Sequence, residues 1–158
     1  MQDLERRAMR ILRSPRFVVS AVALCVIVVD QITKSLAEAN LATHSIKILG
    51  PLSLELVYNS GVAFSIGSGD AAVVTVVELL VIAGMILYVR RITTLGLATG
   101  FGMVIGGALG NICDRLFRNN HGSVIDFIHS GFWPTFNLAD SAVVIGIVVI
   151  LLASRSKG

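Results

Sequence analysis

The stretch that decides the fold is Gly106–Asp140, which reads GGALGNICDRLFRNNHGSVIDFIHSGFWPTFNLAD. A glycine-rich apolar run leads into three aspartates, and the last of them opens another apolar run. Asp114 and Asp140 each follow an asparagine by three positions, and Asp126 lies within the apolar segment VIDFI. A carboxylate beside hydrocarbon is costly unless it has a partner, so these acids predict a functional site. Two facing carboxylates that share one proton are the chemistry of an aspartic protease.

The composition of the 158-residue chain indicates a single integral membrane domain. Hydrophobic residues make up 54% of it, charged residues 15%, and the mean hydropathy is +0.81. A soluble domain could not cover so much apolar surface. Four apolar runs predict four membrane-spanning helices, at 17–36, 71–89, 95–113 and 138–153. No small-residue cleavage site follows the first run, so we expect it to be a retained helix rather than a signal peptide.

The basic residues predict a topology rather than a nucleic-acid partner. The formal net charge is +3, but four crossings would put nine basic residues on one side: Arg6, Arg7, Arg10, Arg13, Arg16, Arg90, Arg91, Arg155 and Lys157. Such residues favour the cytoplasmic side, where they meet anionic lipid. Both termini are therefore expected in the cytoplasm. The expected organisation is a basic extension (1–16), a membrane domain (17–153) with outer segments 40–69 and 114–136, and a tail (154–158).

Periodic side chains predict a small sheet and close helix packing. In the first outer segment, apolar residues alternate with less apolar ones on either side of a Gly-Pro break: Ile46, Ile48, Leu52, Leu54, Leu56 and Tyr58. Period two predicts a hairpin at the membrane surface. Glycines recur every four residues in the third span, at 102, 106 and 110, which allows another helix to approach closely. Asp30 and Lys34 are four apart and can pair, either as an anchor at the interface or as part of a site.

The topology brings the acids together at one boundary of the membrane. Asp30, Asp114, Asp126 and Asp140 all fall at the outer ends of spans or in an outer segment. Free helix amides and Asn137 are expected to stabilise the anion of Asp140, although a capping motif alone would explain that pair. Asp126 has apolar neighbours and no evident donor nearby, which predicts a raised pKa. This asymmetry is what an acid–base pair requires.

Three alternatives stay open from the residues alone. The segment Gly67–Asp70 matches the GxGD pattern of intramembrane proteases, but a turn with Asp70 as a helix cap is the structural interpretation. The acids could instead form a relay in a proton-coupled transporter or channel, although only Glu78 lies clearly inside the membrane. Glu78 is expected to bond another helix or to stay protonated. A non-catalytic lipid-binding membrane protein is the third alternative. Metal and serine hydrolase motifs are missing from the sequence.

Five motifs, in order, resemble those of bacterial lipoprotein signal peptidase, also called signal peptidase II. They are Asp30-Gln31-x-Thr33-Lys34, Asn59-x-Gly61-x-Ala63-Phe64-Ser65, Gly106-Gly107-x-x-Gly110-Asn111-x-x-Asp114-Arg115, Gly122-x-Val124-x-Asp126-Phe127 and Phe136-Asn137-x-Ala139-Asp140. The resemblance extends from about residue 17 to 153 and leaves out the basic extension.

The resemblance implies a multi-pass aspartic endopeptidase of the bacterial plasma membrane, with four helices and a small extracytoplasmic β-cradle. Its substrate would be a diacylglyceryl-modified prolipoprotein, cleaved on the N-terminal side of the lipidated cysteine at the extracytoplasmic face. The enzyme would be a monomer among membrane lipids, with no cofactor, no metal and no nucleic acid. By motif match the catalytic pair is Asp126 and Asp140. Substrate-pocket and supporting roles fall to Asn59, Gly61, Asn111, Asp114, Arg115 and Asn137, and structural or supporting roles to Asp30 and Lys34.

Overall fold

In the part of the chain that the structure describes, the fold consists of four helices and three strands. The computed structural model describes residues 14–60 and 70–155 together with Met1 and Glu5, without the side chains of residues 70 and 71. In chain order the elements are α1 (Pro15–Leu41), β1 (Ile46–Leu49), β2 (Leu52–Asn59), α2 (Asp70–Val89), α3 (Leu95–Phe117), β3 (Val124–His129) and α4 (Leu138–Arg155). All four helices are long and apolar enough to cross a membrane. The prediction of four membrane-spanning helices is therefore confirmed.

Two helices extend beyond the apolar runs from which they were predicted. α1 ends at Leu41 rather than near residue 36, and α3 ends at Phe117 rather than at Cys113. The end of an apolar run does not end a helix when the polar residues that follow find buried partners. Asp114 finds such partners, as described below. It therefore lies on α3, which continues into the segment 114–136 that was expected outside the membrane.

α3 is the central helix, and its glycines determine how closely its neighbours approach. It packs mainly against α1 and α4 and makes a smaller contact with α2. A Cβ atom added at Gly102 would lie 2.7 Å from Val22 Cβ, and one at Gly106 would lie 2.7 Å from the backbone oxygen of Ala23. Both distances are shorter than van der Waals contact. The close approach predicted from the glycine spacing is thus confirmed between α3 and α1.

A three-stranded antiparallel sheet, in the order β1-β2-β3, covers one end of the bundle. The antiparallel pairing of β1 with β2 confirms the hairpin that was predicted from the alternation in the first outer segment. β3 was not predicted from any periodicity, because Val124 to Phe127 are all buried and the strand therefore does not alternate. Ile125 and Phe127 pack with Ala37 and Leu41 at the end of α1. The sheet thereby places Asp126 against the ends of the helices.

Candidate active site

Asp126 lies in β3 and is almost completely buried, with 2% of its surface exposed. Its Oδ1 accepts a hydrogen bond from Asn137 Nδ2 at 2.7 Å, and its Oδ2 accepts one from Asn59 Nδ2 at 2.9 Å. Asn59 is the last residue of β2, which pairs with β3. The expectation that Asp126 has no donor nearby is therefore wrong. Asn59 and Asn137 are 67 and 11 positions away from Asp126, so the immediate sequence neighbours of Asp126 do not indicate these donors.

Asp140 lies in the first turn of α4 and forms a capping box with Asn137. The backbone N–H of Asp140 donates to Asn137 Oδ1 at 2.9 Å, and Asp140 Oδ2 accepts from the backbone N–H of Asn137 at 3.1 Å. The capping interpretation of this pair is confirmed. Asp140 Oδ1 accepts from Asn111 Nδ2 at 2.9 Å. One asparagine, Asn137, thus contacts both aspartates.

These contacts correct the expected role of Asn137. Its side-chain amide donates to Asp126, whereas Asp140 receives only its backbone N–H. Two backbone amides at the start of α4 are also not available to the Asp140 carboxylate, because Ala139 N donates to Asp30 Oδ1 at 3.0 Å and Asp140 N donates to Asn137 Oδ1. The anion of Asp140 is therefore stabilised by Asn111 and by the backbone N–H of Asn137.

The electrostatic environment of Asp126 favours its protonated form. The pKa of Asp126 is raised to about 6, with burial as the largest cause; the nearby carboxylate of Asp140 acts in the same direction, and hydrogen bonds from Asn59 and Asn137 act in the opposite direction. The raised pKa predicted from its apolar neighbours is confirmed, and burial is its largest cause. A carboxyl group with such a pKa can act as an acid near neutral pH.

A buried lysine, Lys34, supports Asp140 indirectly, through Asn111. Lys34 is fully buried, and its Nζ lies 2.9 Å from Asp30 Oδ2, 2.8 Å from Asp114 Oδ2 and 2.9 Å from Asn111 Oδ1. These contacts match the three donors of an ammonium group. The expected pairing of Asp30 with Lys34 is confirmed, but the pair is buried and does not anchor α1 at an exposed interface. Because Asn111 accepts from Lys34, its amide is oriented to donate to Asp140.

Asp30 and Asp114 each hold the backbone just before one of the two central aspartates. Asp30 Oδ1 accepts from the backbone N–H of Ala139, and Asp114 Oδ2 accepts from that of Ile125 at 3.0 Å. Ala139 precedes Asp140, and Ile125 precedes Asp126. Both supporting acids are fully buried, so they position backbone and do not line an open pocket.

Arg115 and Gly61 are the predicted site residues that remain. Arg115 pairs with Glu78 at 2.7 Å, which ties α3 to α2 and confirms that Glu78 bonds another helix. Gly61 lies outside the described residues, as do residues 67–69 of the GxGD segment. Within the described part of the chain, no group of His, Cys, Asp and Glu side chains could hold a metal ion.

Two residues of the network were missed by sequence reasoning. Gln31 Nε2 donates to Asp114 Oδ1 at 2.8 Å and to the backbone oxygen of Gly110 at 3.1 Å. Arg118 pairs with Glu38 and, at 3.2 Å, with Asp114 Oδ1. Asp114 and Arg118 are four residues apart, so a predicted helix that continued past Cys113 would also have predicted their contact.

Two apolar cavities reach Asp140 from different sides. One of about 520 Å³ lies between α4 and the segment after β3, where Phe132, Trp133 and Val144 contribute to its walls. The other, of about 350 Å³, lies among α2, α3 and α4 and is lined by Glu78 and Asn111 as well as by valines. A polar, buried centre is therefore accessible from apolar surroundings.

Comparisons with known proteins show to which family the chain is similar. The signal peptidase (SPase) II family, Peptidase_A8, matches residues 22–155. The chain is 39% identical over 155 residues to the lipoprotein signal peptidase of Mycobacterium leprae (strain Br4923), covering 95% of this chain and 77% of that protein. It is 38% identical over 142 residues to that of Rhodococcus jostii (strain RHA1), covering 87% and 72%.

A solved bacterial membrane enzyme has the same fold. It superposes with a TM-score of 0.74 at 26% identity, covering 85% of this chain and 90% of that one. A second solved structure described in the same words gives a TM-score of 0.73. With the family match over nearly the whole of the membrane domain, we conclude that the chain belongs to the signal peptidase II family of lipoprotein signal peptidases.

Proposed function

We propose that this membrane peptidase uses Asp126 and Asp140 as an aspartic catalytic pair to remove the signal peptide from diacylglyceryl-modified prolipoproteins. The observation that carries the proposal is the shared asparagine: Asn137 donates to Asp126 at 2.7 Å and to Asp140 at 3.1 Å. The unequal environments of the two acids support different roles for them. Asp126 is buried with a raised pKa, whereas Asp140 is partly exposed and borders both apolar cavities.

The mechanism assigns the proton of the resting pair to Asp126. Asp140 takes a proton from water, and the resulting hydroxide attacks the scissile carbonyl carbon. Asp126 donates a hydrogen bond to the oxyanion that forms. When the C–N bond breaks, Asp126 gives its proton to the leaving nitrogen. The proton on Asp140 then returns to Asp126, which restores the pair. Bound substrate displaces water from the site, which favours the protonated form of Asp126 further.

The cleavage point would be the peptide bond on the N-terminal side of the lipidated cysteine. The apolar cavities beside Asp140 support this assignment, because their walls suit acyl chains or an apolar signal peptide. The distribution of basic residues supports a site at the extracytoplasmic face of the plasma membrane. We further propose that the enzyme acts as a monomer in contact with membrane lipids, since the described residues of the proposed pair and its support form their contacts within one chain.

The test is cleavage of a matched pair of substrates by the purified protein. One precursor carries diacylglycerol on its cysteine, and the other has the same sequence without lipid. We expect cleavage of the lipidated precursor alone, with the modified cysteine as the new N-terminal residue by mass spectrometry. Equal cleavage of both precursors would contradict the proposed substrate, and cleavage at another bond would contradict the proposed position.

A further inference from the structure

A separate cavity lies at the end of the bundle opposite to the aspartates. It has a volume of about 550 Å³ and is bounded by α1, α2 and α3. Arg16 lines it near the start of α1, and Asp30 lies fourteen residues further along the same helix, a distance of about 21 Å by the helical rise. The cavity is therefore independent of the candidate active site. We call it the Arg16–Arg90 cleft after the two basic residues that line it.

The two arginines of the cleft have no acidic partners in the described part of the chain. Arg16 and Arg90 are exposed, and no ion pair is found for either of them among residues 14–60 and 72–155. The described lining contains no carboxylate. At the other end of the bundle, by contrast, Arg115 and Arg118 pair with glutamates. Among the described residues, no carboxylate compensates the positive charge of the cleft, and an anion could bind there.

Behind the arginines the walls are apolar. On α1, Val19 and Ala23 lie on the same face as Arg16, and Ile86 and Leu109 line the cleft from α2 and α3. From Arg16 to Ala23 the face extends for about 10 Å. α2 makes little contact with α1, which leaves the cleft open between them. Its shape combines a basic end with an elongated apolar wall, and its volume is within the usual range of ligand sites.

We propose that the Arg16–Arg90 cleft binds one anionic phospholipid, with the phosphate between the two guanidinium groups and an acyl chain along the apolar wall. Basic pockets between membrane helices are suited to anionic head groups. The apolar wall favours a lipid over free phosphate, which would leave that surface uncovered. The hydroxyl of Ser20, one turn from Arg16, is placed to contact the phosphate or the glycerol. A bound lipid would fasten α2 to α1, which otherwise contact each other weakly.

The experiment measures lipid binding to the full-length protein after delipidation in a neutral detergent. Native mass spectrometry and thermal unfolding would be recorded with phosphatidylglycerol, phosphatidylcholine and glycerol 3-phosphate. We expect phosphatidylglycerol to bind at one site and to raise the unfolding temperature. The other two compounds should do neither to a comparable extent, because one lacks net negative charge and the other lacks acyl chains.

Matched variants separate the cleft from a general attraction of basic ends to lipid. Arg16→Gln and Arg90→Gln should each weaken phosphatidylglycerol binding about fivefold, from roughly 1 kcal/mol per basic residue at an anionic surface. Arg155→Gln removes the same charge at the same end of the bundle but outside the cleft, and it should leave binding unchanged. Ser20→Phe keeps both arginines and fills the cleft, so it should also weaken binding.

Several outcomes would overturn the proposal. Equal losses in the Arg155 variant and in the two cleft variants would indicate diffuse attraction, and unchanged binding in both cleft variants would exclude the site. Equal binding of phosphatidylcholine would exclude recognition of the anion, and equal binding of glycerol 3-phosphate would indicate a site for free phosphate. If an arginine variant unfolds without lipid, Ser20→Phe still tests the proposal. Unchanged phosphatidylglycerol binding in Ser20→Phe would rule out the cleft as the binding site.

Discussion

Lys34 on α1 and Asp114 on α3 form an ion pair 2.8 Å long, and neither side chain is exposed to solvent. The same ammonium group contacts Asp30 and Asn111. Removing charges from water costs several kcal/mol per ion, which excellent geometry and further hydrogen bonds must offset. Because Asp114 also holds the backbone of Ile125, this pair connects the packing of α1 and α3 with the position of β3.

Replacing Lys34 with methionine should therefore destabilise the fold strongly. The Lys34→Met variant leaves the carboxylates of Asp30 and Asp114 buried without their common partner. We expect a loss of about 3–5 kcal/mol in the free energy of unfolding, the usual cost of breaking a buried pair from one side. Denaturant or thermal unfolding in detergent would measure it. Lys47→Met, on exposed β1, is the matched control and should change stability by no more than about 0.5 kcal/mol. Equal stability of both variants would contradict the structural role of Lys34.

Much of the fold follows from local sequence, but the candidate site does not. Hydrophobic runs predict the four helices because each run alone is long enough to cross a membrane. The Asn137–Asp140 capping box is also local, since its members are three residues apart. The donors to Asp126 are different, because Asn59 precedes it by 67 positions and reaches it only through the pairing of β2 with β3.

The buried lysine shows a second limit of sequence reasoning. The spacing of Asp30 and Lys34 predicts their pairing but does not reveal that Lys34 also orients Asn111, 77 positions away. Likewise, the apolar neighbours of Asp126 predict its raised pKa, because desolvation depends on what surrounds the carboxyl group. They cannot predict the amides that oppose this effect. Tertiary contacts decide both cases.

The assignment of the catalytic pair predicts the behaviour of two conservative variants. Asp126→Asn and Asp140→Asn should each lower the rate of prolipoprotein cleavage by at least about 10²–10⁴-fold, since one remaining acid cannot both activate water and donate a proton. The protein should remain folded, as judged by its unfolding temperature. Asp70→Asn is the control and should keep full activity. Substantial turnover in either pair variant would contradict the assignment, and loss of activity in the Asp70 variant would favour the GxGD alternative.

The expected topology can be tested by labelling single cysteines on intact cells. Cys25 and Cys113 are replaced first, and one cysteine is then introduced at Asn119 or at Ser154. Asn119 lies beyond α3 at the end that carries the aspartates, whereas Ser154 lies at the other end of α4. A membrane-impermeant thiol reagent should label the first position and not the second, because the basic residues predict cytoplasmic termini. The reverse pattern would put the candidate site on the cytoplasmic face.

The last prediction concerns the proton of the pair and follows from the corrected role of Asn137. Its amide donates to Asp126 Oδ1, and such a hydrogen bond stabilises the carboxylate form. Asn137→Ala should therefore raise the pKa of Asp126 above its value of about 6, by roughly one unit for a hydrogen bond to a charged group. In the proposed mechanism Asp126 must be protonated. The alkaline limb of the kcat/KM profile, where the pair loses its shared proton, should move to higher pH.

The acidic limb should move less in the same variant, because Asp140 keeps Asn111 Nδ2 and the backbone N–H of residue 137. Asn137→Ala also removes the helix cap, which costs about 1 kcal/mol of stability and could lower activity at every pH. Asn137→Ser separates the two effects, since a serine hydroxyl can still accept from the N–H of Asp140 but the amide donor to Asp126 is gone. Both variants should therefore shift the alkaline limb, and the serine variant should be the more stable of the two. A shift confined to the acidic limb would contradict this assignment, because Asp126, the carboxylate to which the Asn137 amide donates, would then be the group that must lose its proton before water can attack. The proton of the resting pair would in that case lie on Asp140.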